Sequence, residues 1–200
     1  MAVTETSICN SALAKLGAKR IASLDEDSKE ARLCKEQYSK LRNEVLRSHP
    51  WNFAIKRAAL ALDTASPAYG FDNYFVLPSD FLRILDTEYL NEKYKIENNG
   101  GNRRIATDAA TINARYIAEV TTTALFSADF AEVLAWRIAA DLAYAIVQSR
   151  GVAQDIFASY QWHLRNARSY DAQEGSPDSF IADTWITSRS RGTFFGAGEF

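Results

Sequence analysis

The sequence predicts an α+β fold that is mainly helical, with a bundle of about four helices, a small inserted antiparallel sheet and an extended C-terminal arm. Apolar residues recur at helical spacing in the first and last thirds of the chain, whereas the middle third alternates with a period of two. Residues 175–200 show neither period and yet retain many aromatic side chains. A chain of 200 residues, 47% of them hydrophobic, can bury one core. We therefore expect a single domain over residues 1–174, followed by an arm over residues 175–200.

Two helices are predicted in the first third, over residues 4–17 and 28–48. Thr4 or Thr6 can cap the first helix, and Gly17 suits its left-handed C-terminal end. The second helix carries one continuous apolar stripe with spacings of three, four, three and four, made of Ala31, Cys34, Tyr38, Leu41 and Val45. Pro50 disfavours helix at the residue before it and so ends this helix.

The middle of the chain predicts a small β region over residues 72–120. Its clearest feature is a hairpin, in which residues 93–97 and 103–107 alternate on either side of Asn98–Asn102. The Gly-Gly pair in that turn supplies the positive φ angles that a tight turn requires. Further strands are expected at residues 74–77, 82–86 and 111–120. A sheet of this size cannot stand alone and must pack against the helices.

Two more helices are predicted over residues 128–149 and 153–174, separated by a break at Arg150-Gly151. The first is apolar around most of its circumference, with a narrow polar edge. A helix of this kind belongs in the middle of a bundle or of an assembly.

The arm has too few apolar residues for a core of its own, but it carries bulky side chains of the type that dominate protein interfaces. We expect it to become ordered on a partner or a neighbouring subunit. The candidate interface residues are Phe180, Trp185, Ile186, Arg189, Phe194 and Phe195.

The densest local pattern is the run Leu-Pro-Ser-Asp-Phe-Leu-Arg over residues 77–83. Pro78 stops a strand, Asp80 can accept backbone N–H groups, and Arg83 is near enough in sequence to pair with Asp80. We interpret this run as a rigid corner joining the sheet to the bundle rather than as a catalytic site.

Charge and cysteine content exclude several classes of protein. The formal net charge of −2 and a pI near 5.8 provide no overall attraction to nucleic acid. Cys9 and Cys34 lack metal-binding or redox spacing and are expected to be reduced, half-buried thiols. The start of the chain has no secretory signal pattern, and no apolar run approaches the length of a membrane span. We expect a protein that is made in a cytoplasm and has no membrane partner.

No catalytic, cofactor or metal site is predicted. His49 and His163 fall in different elements, and nucleophile-elbow, zinc and phosphate-loop patterns are absent from the sequence. Acidic pairs such as Glu26 and Asp27 are better explained as solvated helix ends. Residues 1–60 hold eleven Lys or Arg against seven Asp or Glu, but the charges alternate along the second helix. This alternation favours a solvated face or subunit contacts over sequence-specific DNA binding.

The order of these features resembles that of the tail tubular protein A family, the head-to-tail adaptors of short-tailed bacteriophages. The resemblance covers nearly the whole chain. Its pieces are the helix Ile8–Gly17, the Trp segment 50–54, the corner Tyr74–Arg83, the turn Asn98–Asn102, the strand Arg115-Tyr116-Ile117, the helical stretch Phe130–Tyr170, and the arm motif Trp185-Ile186-Thr187-Ser188-Arg189.

The resemblance implies a structural virion protein that is not an enzyme. Similar proteins form a ring of twelve copies between the portal and a tail nozzle of the tail tubular protein B kind, and DNA passes through the central channel without sequence-specific binding. Two alternatives remain open, a cell-wall hydrolase of the tail and a helical DNA-binding module that uses the Lys and Arg of residues 15–57.

Overall fold

The computed structural model describes residues 3–87 and 93–175. Four helices lie in this part of the chain: α1 (Glu5–Lys15), α2 (Lys29–Ser48), α3 (Ala128–Val147) and α4 (Arg150–Gln173). The six strands are β1 (Ile55–Ala59), β2 (Asn73–Val76), β3 (Phe81–Thr87), β4 (Tyr94–Asn99), β5 (Asn102–Thr107) and β6 (Asn113–Ala118). The predicted α+β class, with a helix bundle and small antiparallel sheets, is confirmed.

α3 is the central helix of the bundle and packs against α1, α2 and α4. Eight of its side chains are buried, among them Phe130, Leu134 and Ile138. Its apolar circumference is therefore explained mainly by three helical neighbours within the same chain. The stripe predicted on α2 is buried at every one of its five positions.

The helix ends follow from local chemistry. Thr4 and Ser7 form a capping box at the start of α1, where the Thr4 hydroxyl accepts from the Ser7 N–H at 3.1 Å. Gly17, at φ +66°, ends this helix as predicted. The N–H groups of Gly17 and Ala18 donate to the carbonyls of Ala14 and Leu13, a pattern that requires a left-handed residue.

The break between the last two helices, predicted at Arg150-Gly151, lies about two residues earlier, at Gln148 and Ser149. α3 ends at Gln148, which adopts the left-handed conformation (φ 56°), and Ser149 caps α4 by accepting from the Val152 N–H. Gly151 therefore lies within the first turn of α4. A serine cap outweighs the helix-breaking tendency of a glycine, since glycine in a first turn costs only about 1 kcal/mol.

The strands form two three-stranded antiparallel sheets rather than one, with the orders β1-β6-β3 (sheet A) and β2-β5-β4 (sheet B). β1 lies outside the predicted region 72–120. It was not predicted because its sequence, Ile-Lys-Arg-Ala-Ala, lacks clean alternation of apolar and polar residues. Pairing with β6, from Ile55↔Ile117 to Ala59↔Asn113, holds it in the sheet. The predicted hairpin is confirmed as β4–β5, closed by Gly100 and Gly101 at φ +61° and +83°.

The main core lies among the helices and includes Trp51 and Ile117 at its border with sheet A. A smaller cluster between the sheets contains Leu60, Phe75 and Ile105. No helix of residues 3–87 and 93–175 is long and apolar enough to cross a membrane.

Candidate functional site

The six predicted interface residues of the arm, Phe180, Trp185, Ile186, Arg189, Phe194 and Phe195, lie outside the described residues. Their role stays a prediction.

The corner at residues 77–83 lies between β2 and β3. Asp80 accepts hydrogen bonds from the Lys56 ammonium at 2.6 Å and from the Tyr116 hydroxyl at 3.1 Å, and its backbone carbonyl accepts from the Glu119 N–H. Pro78 contributes its carbonyl to the Phe81 N–H at 3.1 Å. Asp80 therefore holds β1, β3 and β6 together at one end of sheet A.

Asp80 does not pair with Arg83 as its spacing suggested. Asp80 lies in the turn before β3, where its carboxylate is bound by Lys56 and Tyr116, and Arg83 lies within that strand. The charge of Arg83 instead acts on His49.

The electrostatics of this corner follow from its contacts. Burial favours a higher pKa for Asp80, but the hydrogen bonds from Lys56 and Tyr116 outweigh it and hold the pKa below its ordinary value. Burial, together with the bond to Asp80, raises the pKa of Tyr116 to about 12. A lowered pKa is typical of a carboxylate that is paired with a cation, whereas a proton-donating acid would need a raised pKa.

A buried arginine joins the bundle to the sheet a short distance away. Arg42 of α2, 4% exposed, is paired with Glu119, which also accepts from the Asn43 amide at 3.0 Å. Because the Glu119 N–H donates to Asp80, the corner is linked through Glu119 to α2. Sequence reasoning missed Glu119, since a single glutamate after a strand has no periodic signature.

A second polar cluster lies where α4 meets the end of α2. The Asp171 carboxylate bonds the His49 imidazole Nε2 at 3.0 Å and accepts from the Asn52 N–H at 3.1 Å, while Arg168 donates to the Ser48 carbonyl at 3.1 Å. Burial lowers the pKa of His49, and this effect exceeds the opposing attraction of Asp171. The cluster docks the last turns of α4 onto the segment that leaves α2.

The two histidines occupy separate surroundings. His163 stacks on the Trp136 ring, with centroids 5.0 Å apart, and meets Trp162 edge-on at 4.8 Å. Sequence reasoning missed the partner of His49, because Asp171 lies 122 residues away in the chain.

Cys9 and Cys34 form no disulfide, and both side chains are fully buried rather than half-buried as predicted. They lie against each other between α1 and α2, and the hydrogen bond between the two thiols, together with burial, raises the pKa of Cys9. Within residues 3–87 and 93–175, no group of three or more His, Cys, Asp or Glu side chains is arranged to hold a metal ion.

An open groove of about 600 Å³ lies between sheet A and the C-terminal end of α4. We call it the arginine groove; it is lined by His49, Asn52, Arg57, Arg115, Asp171 and Gly175, among others. Arg57 and Arg115 face each other across the β1–β6 pair. Arg115 bonds Asp86 through Nε at 2.8 Å.

Large aromatic side chains are exposed on α3 and α4. Tyr144, Trp162 and Tyr170 are each more than half exposed. Side chains of this size and type are enriched at the centres of protein interfaces.

No family model matches the chain, and no curated protein matches it.

Proposed function

We propose that this chain is a structural subunit of a head-to-tail adaptor ring in a short-tailed bacteriophage, located in the virion between the portal and the tail nozzle. The observation that carries the proposal is the order of features along the chain, which resembles that of the tail tubular protein A family from the first helix to the Trp-Ile-x-x-Arg run at residues 185–189. Three of these features are parts of the described fold: Trp51 at the end of α2, the Asp80 corner and the Gly-Gly hairpin.

Exposed aromatic side chains on α3 and α4 give further support. A ring closes when each subunit presents two different surfaces that meet in a head-to-tail manner. Tyr144, Trp162 and Tyr170 are exposed aromatic side chains that such a surface could use. DNA in the channel would meet a wall without sequence preference, so a formal net charge of −2 is compatible with the role.

The two alternatives lack a comparable observation. A cell-wall hydrolase needs a carboxyl group whose pKa is raised. The pKa values of Asp63 and Asp80 are instead lowered, in Asp63 chiefly by its hydrogen bond with Arg104.

A DNA-binding module needs free cations on one face. Several cations of residues 15–57 are already paired with carboxylates: Lys15 with Glu132, Lys35 with Asp25, and Lys56 with Asp80.

Electron microscopy of the purified protein mixed with the portal rings of its own phage tests the proposal. We expect a layer of rotationally ordered density on one face of the portal, with the twelve-fold symmetry that the family resemblance implies. Trp162→Ala is a suitable variant, because it removes an exposed aromatic group without touching the core, and we expect it to weaken ring closure. A portal that stays bare at micromolar protein would overturn the proposal.

A further inference from the structure

Sheet B has one open border, the outer side of β4. β4 is the last strand in the order β2-β5-β4, and nothing in the part of the chain that the structure describes pairs with its outer side. The opposite border is covered, because the Val76 N–H of β2 donates to the Ala61 carbonyl and the Asp63 N–H donates to the Tyr74 carbonyl, both at 2.8 Å. Backbone groups at an open border are a template for pairing with another chain.

The hairpin turn fixes which backbone groups of β4 point outward. A two-residue turn is closed by bonds between its flanking residues, so the backbone groups of Asn99 point inward to Asn102 of β5. Inward and outward residues alternate along an antiparallel strand. In agreement, the Lys93 carbonyl accepts from the Thr107 hydroxyl of β5 at 3.0 Å. The residues whose N–H and C=O groups point outward, which we call the β4 edge, are Tyr94, Ile96 and Asn98.

The charges on β4 match those of a second copy of the same strand. Lys95 and Glu97 lie two residues apart and so share one face of the strand. Antiparallel pairing about a two-fold axis at Ile96 places Lys95 of each copy opposite Glu97 of the other. Opposite charges facing each other across two strands stabilise the pair. A two-fold axis at Tyr94 would instead oppose Lys93 and Lys95, so the charges favour one register.

Ile96 adds an apolar contact at the centre of that register. In sheet B it continues the row formed by the buried Phe75 and Ile105, yet it is 40% exposed at the border of the sheet. A second copy would place its own Ile96 directly across, and the apolar surface that the two side chains bury would favour association.

The borders of sheet A lack this combination. The pairing of β3 carries two register shifts, and irregularities of this kind blunt an edge against further pairing. The charged side chains of β1, Lys56 and Arg57, are both cations, so a second copy of β1 would bring like charges together.

We propose that the β4 edges of two copies of this chain pair in antiparallel fashion about a two-fold axis at Ile96. The contact joins two three-stranded B sheets into one continuous sheet. It uses the same surface on both copies, whereas a closed ring needs two different surfaces. The pairing therefore goes beyond the adaptor ring and does not depend on it.

Sedimentation velocity of the full-length protein across micromolar concentrations tests the pairing. We expect a dimer whose fraction rises with concentration. Lys95→Glu and Glu97→Lys should each weaken dimerisation at least about tenfold, because each places like charges opposite one another. Lys19→Glu, which reverses an exposed lysine after α1, is the matched control and should leave the dimer unchanged.

Mixing the two charge variants gives a sharper test. Each variant presents to the other the charge that the other lacks, so an equimolar mixture of Lys95→Glu and Glu97→Lys should recover the dimer as a heterodimer. Circular dichroism checks that each variant keeps its helices, which separates lost pairing from lost folding.

A cysteine at the proposed axis tests the register. Cα atoms of facing, hydrogen-bonded residues lie about 5.5 Å apart, which is within the range of a disulfide. Mild oxidation of Ile96→Cys should therefore give a covalent dimer on non-reducing gels. Cys9 and Cys34 are fully buried and do not compete. Val76→Cys, at a similarly exposed position on the covered strand β2, is the control and should stay monomeric.

Three results would overturn the proposal. A full-length protein that stays monomeric throughout shows that the β4 edge does not pair. A dimer that both charge variants leave unchanged shows that another surface holds it. A crosslink at Ile96→Cys that forms only after removal of residues 176–200 shows that the arm occupies the edge in the full chain.

Discussion

Trp51 illustrates how much of this fold depends on single residues. Its indole ring is completely buried and meets the Phe130 ring edge-on, with centroids 5.2 Å apart. Its N–H donates to the Val45 carbonyl at 3.0 Å, one of the four carbonyls that the end of α2 leaves without a helical partner. One side chain therefore fills the border of the core and completes a helix end.

Replacing Trp51 should destabilise the protein, and a smaller side chain should cost more free energy of unfolding than a larger one. Trp51→Phe loses the hydrogen bond and part of the ring and should cost about 1–2 kcal/mol of unfolding free energy, and Trp51→Ala about 3–5 kcal/mol. Urea denaturation followed by circular dichroism measures both. Trp162→Ala is the control, since Trp162 is 55% exposed and its loss should change stability by less than about 0.5 kcal/mol. Equal losses at the two tryptophans would contradict this account.

The His49 imidazole predicts a pH dependence with a definite sign. Burial lowers the pKa of His49 below 6.5 in the folded protein, so the unfolded chain takes up a proton first as the pH falls. The stability contributed by the neutral imidazole is complete above the unfolded pKa of 6.5 and is lost as the pH falls from there through the lower, folded pKa.

Urea unfolding of the wild type and of His49→Gln between pH 8 and pH 5 measures this effect. We expect the free energy of unfolding of the wild type to fall relative to that of the variant below about pH 6.5, with a constant difference above pH 7.5. A relative rise below pH 6.5 would show that the attraction of Asp171 outweighs burial.

At the scale of elements, two helix ends use the same left-handed conformation with different residues. Gly17 (φ +66°) follows α1 and Gln148 (φ 56°) follows α3. A residue with a β-carbon is strained there by about 1–2 kcal/mol, whereas glycine is not. Glycine loses more chain entropy on folding, which offsets about half of that advantage.

The two sites should therefore respond to substitution with opposite signs. Gly17→Ala should destabilise the protein by about 1 kcal/mol, and Gln148→Gly should stabilise it by about 0.5 kcal/mol. Thermal unfolding measures both, with Gln148→Ala as the control that keeps the strain and should change little. A loss of stability in Gln148→Gly would mean that the glutamine side chain makes a contact that outweighs its backbone strain.

Patterns along the chain predicted the elements whose signals are local. The stripe on α2, the Gly17 end and the Gly-Gly hairpin follow from residues within a few positions of one another, and each is confirmed. β1 was not predicted, because its strand character comes from pairing with β6, about 60 residues later in the chain. The separation into two sheets was not predicted for the same reason.

The polar clusters were harder to predict than the elements. Asp80 was identified from its proline-containing corner, but its partners Lys56 and Tyr116 were not, because they lie 24 and 36 residues away. Asp171 and Glu119 were missed altogether. A charged residue with distant partners leaves no periodic mark in the sequence, so only the assembled fold reveals it.

At the scale of the whole molecule, polar contacts join the described helices to one another and to sheet A. The helices bury a continuous core, the corner at Asp80 and the buried Arg42 join it to sheet A, and the cluster at Asp171 closes α4 onto the end of α2. Each of these contacts lies within residues 3–87 and 93–175. Under the adaptor proposal, we expect the arm to serve assembly rather than to complete this core.

Truncation after Gly175 separates folding from assembly. We expect the shortened protein to retain its helical circular dichroism, because the buried core of the helices is formed by residues before Gly175. Under the adaptor proposal it should also fail to form a layer on portal rings in electron microscopy. A chain that carries Trp185→Ala, Phe194→Ala and Phe195→Ala in place of the truncation is the matched variant, since it retains the length and the proximal acidic residues of the arm. If truncation instead unfolds the helices, the arm belongs to the core. If the truncated chain folds and still covers the portal, the arm is not what attaches the ring.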